Sequence, residues 1–159
     1  MTENNQQTEI ATWDEFIETY NPEKLIIQYW RVNSIEQSIS TKRITFREIK
    51  DMFGLYKHKV FGECDCGILY FYEWLNHLNS ISNINKPLPA KNLVQLSTIL
   101  YSKYYYFYLS DLKLVLERIL EGEYGKFYGS VDAQLIMCAF KEYATKRKQV
   151  EYEMKSKHR

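Results

Sequence analysis

Four groups of residues in this chain have types and spacings that chemistry could use. Gly122-Glu-Tyr-Gly125-Lys126 sets glycines beside a lysine, as phosphate-binding loops do. A Walker A loop needs four residues between its first Gly and the Gly-Lys pair, then Ser or Thr for the magnesium ion. Two residues separate Gly122 from Gly125, and Phe127 occupies the hydroxyl position, so this is not an ATPase loop. The Gly-x-x-Gly clamp of KH domains has an apolar flank that is missing here, and Glu123 would repel phosphate. The segment reads instead as a tight turn between helices, with glycine supplying positive φ.

The second group is Cys64-Asp-Cys66 with His58 and His77. Structural zinc takes Cys-x2–4-Cys and a second matched ligand pair, so no metal or other cofactor is expected. Cys138 falls on the apolar side of a helical pattern and reads as a core thiol. Three cysteines, no basic-then-apolar leader and no apolar run long enough for a bilayer predict free thiols in a reducing cytoplasm, away from membranes. His58, His77 and His158 lack a Gly-x-Ser-x-Gly elbow or a cysteine signature. The carboxylate pairs Glu121/Glu123 and Glu151/Glu153 sit among other charges as solvated groups do. No catalytic constellation is predicted.

The other two groups point to binding. In Tyr104-Tyr-Tyr-Phe-Tyr108, five consecutive aromatics cannot all face one side of a helix. Spacing puts Tyr104, Phe107 and Tyr108 inward and leaves Tyr105 and Tyr106 outward, as interface residues or as stacking platforms for bases. The terminal run Lys146, Arg147, Lys148, Lys155, Lys157, His158 and Arg159 is the candidate phosphate-contacting surface, with Lys126 as an outlier. Interspersed Glu142, Glu151 and Glu153 suit equally an exposed helix laced with i, i+4 ion pairs.

These groups must be held by a chain of 159 residues, long enough for one self-sufficient core. It carries 14 Tyr, 8 Phe and 3 Trp, and tyrosine suits half-buried and contact positions. Net charge is +1, which argues against a protein that coats nucleic acid over its whole surface. The charge is nevertheless polarised. Glu3, Glu9, Asp14, Glu15, Glu18 and Glu23 form an acidic head, and residues 146–159 a basic tail.

Residues 1–11 read as a mobile polar tail. Thr12-x-x-Glu15 and Thr45-x-x-Glu48 have capping-box spacing, and Gly54 sits where the second helix would end. Between them, Pro22 opens a short helix with Leu25, Ile26, Tyr29 and Trp30 on one face, and residues 33–43 read as a loop. Ile68, Phe71, Tyr72, Leu75 and Leu78 keep helical spacing. A connector near residues 80–89, ending in Pro87-Leu-Pro89, marks a sub-boundary. Helices are then predicted over 90–108, from a Ser110 cap to Gly122, and from an Asp132 cap through Phe140 and Tyr143. The expected fold is mainly α, a compact single domain over residues 12–159 with about six helices and little or no sheet.

The run Glu121-Gly-Glu-Tyr-Gly-Lys-Phe-Tyr-Gly-Ser-Val-Asp132, followed by Phe140, Tyr143 and Arg147, resembles a C-terminal module (here residues 90–150) of small phage and mobile-element proteins. It is similar to modules of phage replisome accessory proteins of the helicase-loader type. The resemblance implies that Tyr124, Tyr128 and Asp132 define the turn and that Arg147 lies on the exposed end of the last helix. It also implies a non-enzymatic replication accessory in the host cytoplasm. Its partner would be a replisome protein, held through Tyr105, Tyr106, Tyr124 and Tyr128, with DNA as a second contact. The alternative is a protein-directed inhibitor of a host factor.

Overall fold

The computed structural model describes residues 12–41, 44–59 and 61–157. Eight helices and one hairpin make up the described residues. They are α1 (Trp13–Thr19), α2 (Pro22–Gln28), α3 (Ile35–Thr41), α4 (Phe46–Phe53), β1 (Leu55–His58), β2 (Gly62–Asp65), α5 (Cys66–Ser82), α6 (Ala90–Tyr104), α7 (Leu109–Leu120) and α8 (Ala133–Lys157). The mainly α class agrees with the sequence; the helix count is eight rather than about six. The polar tail expected at residues 1–11 lies outside the described residues.

Local rules account for most boundaries. The Thr12 hydroxyl accepts from the Glu15 amide at 3.2 Å and that of Thr45 from the Glu48 amide at 3.3 Å, opening α1 and α4. Asn21 caps α2 ahead of Pro22. Trp30 follows α2 with 63% of its surface exposed, so its expected inward place is corrected, while Leu25 and Tyr29 are buried.

The loop expected over residues 33–43 is also corrected, since Ile35–Thr41 form a helix. Ser34 accepts from the Gln37 amide at 3.2 Å, and the Gln37 carboxamide accepts from the amides of Asn33 and Ser34 at 2.7 and 3.1 Å. This is a reciprocal cap of the Ser-x-x-Gln kind. It opens α3, which buries Ile35, Ser38 and Ile39.

Gly54, with φ +65°, turns the chain out of α4 into the hairpin. β1 and β2 pair antiparallel from Leu55↔Asp65 to His58↔Gly62, a strand pair the sequence did not announce. Asp65 then accepts from the Gly67 amide at 2.8 Å and caps α5. α5 and α6 pack closely because Gly67 has no side chain. A Cβ there would lie 2.8 Å from Cζ of Tyr101.

α6 stops at Tyr104 instead of running to 108. The Ser110 cap is replaced by an N-terminus two residues earlier, with Tyr108 at the cap position and Ser110 buried. Asp132 caps α8 as expected, accepting from Gln134 N at 2.8 Å. One contiguous cluster of buried side chains runs from Trp13 in α1 to Tyr143 in α8.

Candidate functional site

The turn between α7 and α8 is built by backbone conformation. Gly122, Gly125 and Gly129 all have positive φ, at +79°, +117° and +82°. After α7, the amides of Gly122 and Glu123 donate back to Ile119 O and Arg118 O, both at 3.0 Å, which satisfies the last helical carbonyls. Glu123 sits between Arg118 at 3.7 Å and Lys146 at 3.9 Å. Tyr124 is half-buried, and burial pushes its phenol up although the neighbouring Arg118 opposes the shift. Tyr128 is 88% exposed.

Beside this turn lies a groove of about 290 Å³. Ile119, Leu120 and Phe127 line one part of it, Ser82 and Ile84 another, and Gly122 and Gly125 contribute backbone. Exposed Ile81 neighbours Ser82 in the chain, and Tyr128 neighbours Phe127. Among the predicted residues the turn brings together Tyr124, Lys126 and Tyr128, with Lys146 reaching it through Glu123.

Tyr105 and Tyr106 belong to a second place. Both are 41% exposed, as predicted from their spacing, and their rings meet edge to face at 5.9 Å. Arg47 lies 5.9 Å from the Tyr105 ring. Arg147 lies 5.4 Å from the ring centres of Tyr106, Phe107 and Tyr108.

Arg147 is the main correction among the site residues. It is 4% exposed, and its Nε donates to Asp111 Oδ2 at 3.0 Å. Asp111 has no exposed surface and is held by four donors. Ser38 Oγ (2.9 Å) and Tyr143 OH (2.5 Å) donate to Oδ1, while Tyr108 N (2.8 Å) and Arg147 Nε donate to Oδ2. Ser110 and Thr41 extend the network, their hydroxyls 2.6 Å from Ser38 and 3.2 Å from Ser110. Burial, and then the Asp111 charge, push the Tyr143 phenol far up, so it stays a donor. A carboxylate so satisfied and sealed has no lone pair left for a solute, and it acts by fixing α3, α7 and α8. Arg147 is therefore not available to phosphate.

Sequence reasoning missed Asp111, Ser38 and Lys113. Lys113 is 2% exposed, donates to Val32 O at 2.7 Å and pairs with Glu117. Lys148, Lys155 and Lys157 are exposed on α8, which is helical to Lys157, whereas Arg159 lies outside the described residues. Cys138 is exposed, not a core thiol; Cys66 is the buried one. Among the described residues no three His, Cys, Asp or Glu side chains cluster as metal ligands. Among them, too, no helix is long and apolar enough to cross a membrane.

A family model described as a family of unknown function (DUF6633) matches residues 87–158, from the end of the connector through α8. The chain is similar to that family over this span, which includes the glycine turn and the part of the Asp111 network that α7 and α8 supply, but not Ser38 or Thr41 of α3. No curated protein and no solved structure matches the chain.

Proposed function

We propose that the chain is a non-enzymatic adaptor that binds a protein of the replication machinery, as the resemblance of its Gly-x-Tyr-Gly module to phage replisome accessory proteins implies. The supporting observation is the groove at the glycine turn. Its apolar lining is flanked by side chains that solvent reaches, with Leu120 41%, Ile81 46% and Tyr128 88% exposed. Exposed apolar groups around a concave surface are the usual mark of a protein-docking site. Glycines held at positive φ keep the recess formed before a partner arrives, which lowers the cost of ordering on binding.

The test is capture of cross-linked partners from host lysate by the wild-type protein and by a Leu120→Glu/Tyr128→Ala variant. The expected result is a replicative helicase or initiator held by the wild type and lost by the variant. Equal capture by both would remove the groove from the account. Specific capture of a protein outside replication would favour the inhibitor of a host factor.

A further inference from the structure

The outer face of α8 has a pattern that neither the groove nor the buried network uses. We propose that this face is a binding stripe for single-stranded nucleic acid, made by Lys141, Lys148 and Lys155 with Tyr152 as its stacking residue. This deepens the adaptor reading by naming a second partner, and it rests on that reading for its setting in the cell.

The three lysines stand seven residues apart, so they recur on one side of the helix about every 10.5 Å. All three are exposed, and none is in an ion pair among the described residues. Thr145, also exposed, shares the face, as does Tyr152, which is 70% exposed between Lys148 and Lys155. Aromatic rings interleaved with cations are how single strands are held, since stacking needs unpaired base faces and the cations follow the phosphates.

The nearby acids are turned aside. Glu151 is the carboxylate one helical turn from both Lys148 and Lys155, and it lies 3.6 Å from Arg147 Nη1. Glu153 accepts from Gln149 at 2.9 Å, on the flank that Lys146 shares. Lys146, on that flank and off the lysine face, lies 3.9 Å from Glu123. The buried Asp111–Arg147 pair thus helps hold Glu151 at the edge of the stripe, which leaves the lysine face without a neutralising partner. The stripe adds Lys141 and Tyr152 to the terminal cations and drops Lys146 and Arg147.

The experiment is fluorescence anisotropy of a labelled oligothymidylate and a labelled duplex, titrated with full-length protein between about 50 and 200 mM KCl. A Lys141→Gln/Lys148→Gln/Lys155→Gln variant is expected to flatten the log–log salt slope for the single strand by about 2, at roughly 0.7 per phosphate contact. Tyr152→Ala should weaken that binding about tenfold with the slope unchanged. A Lys57→Gln/Lys59→Gln control on the hairpin should keep the wild-type slope. Circular dichroism should be unchanged throughout, because every altered side chain is exposed.

No binding by the wild type, or an unchanged slope in the triple variant, overturns the proposal. So do tighter binding of duplex that ignores Tyr152→Ala, and equal competition by polyglutamate, which would assign the face to acidic protein. The Leu120→Glu/Tyr128→Ala protein should keep its salt slope while losing its protein partner. Failure of the groove and failure of the stripe are therefore read separately.

Discussion

Between Trp13 and Tyr70 the core is assembled from rings. Phe16 meets Phe53 at 5.1 Å and Tyr70 at 5.5 Å, and Trp13 stands edge-on to Tyr70 at 6.3 Å. The buried hydroxyl of Tyr70, among these rings, donates to a neutral carbonyl, Tyr20 O, at 2.5 Å. Where α3, α7 and α8 meet, a carboxylate, a guanidinium and hydroxyls occupy the interior instead. Ring packing is broad and tolerant of small shifts, whereas a carboxylate with four donors accepts one geometry. The two regions fix helices by different means. The directional one lies largely in the span similar to the family of unknown function.

The hardest blow to this comparison would come through Asp111. Replacing it with Ala leaves Arg147 buried without its carboxylate, and about 3–5 kcal/mol of stability should be lost in urea unfolding. An Asp111→Leu/Arg147→Met protein should recover most of that, because removing both charges removes the desolvation cost too. A loss under about 1 kcal/mol for Asp111→Ala would show that the polar junction carries little stability.

A finer contrast deletes the same atom in each region. Tyr143→Phe removes a hydrogen bond to a charged acceptor and should cost about 1.5–3 kcal/mol. Tyr70→Phe removes one to a neutral carbonyl and should cost about 1 kcal/mol. Equal losses would erase the distinction between the two cores.

The last expected effect is alkaline. Burial, with Asp65 and Cys64 adding to it, pushes the Cys66 thiol up to about 11. A thiol that ionises later in the folded chain than in the unfolded one contributes stability that is full below about pH 9. That contribution fades as pH rises towards 11. The urea midpoint should therefore fall over that window, and Cys66→Ala should flatten the fall. A thiol reagent near neutral pH should label exposed Cys138 quickly and Cys66 only with unfolding. If the two cores open together, Asp111→Ala will speed Cys66 labelling by the same factor as it weakens global stability.

Much of the helical frame was legible because its signals are local. The caps at Thr12, Thr45 and Asp132, the stop at Gly54 and the apolar spacing of α5 all lie within a few residues of what they specify. Ser34-x-x-Gln37 carried such a signal for α3 too, hidden within a run of polar residues that resembles a loop. The hairpin escaped because its strands are four residues long and half exposed. The candidate site was legible in part. Outward Tyr105 and Tyr106 followed from spacing, whereas Tyr128 was marked by the resemblance alone. Buried Asp111 and Arg147 did not, because a charge is placed outside by default and their partners come from elements 36 and 73 residues apart in the chain.

The connector before α6 is stitched at two points. The side chain of Asn79 grips both the amide and the carbonyl of Leu88, and Val131 N donates to Lys86 O at 2.9 Å. The second bond, part of a parallel bridge between Lys86 and Ser130, joins the start of the α6–α7 excursion to its end and closes this stretch like a noose. In the chain Ile84 stands just outside the knot and Phe127 just inside it, and both line the groove. Because the donor is the Val131 amide, trimming side chains around the groove leaves this tether in place, whereas Val131→Pro, which has no amide hydrogen to donate, would untie it.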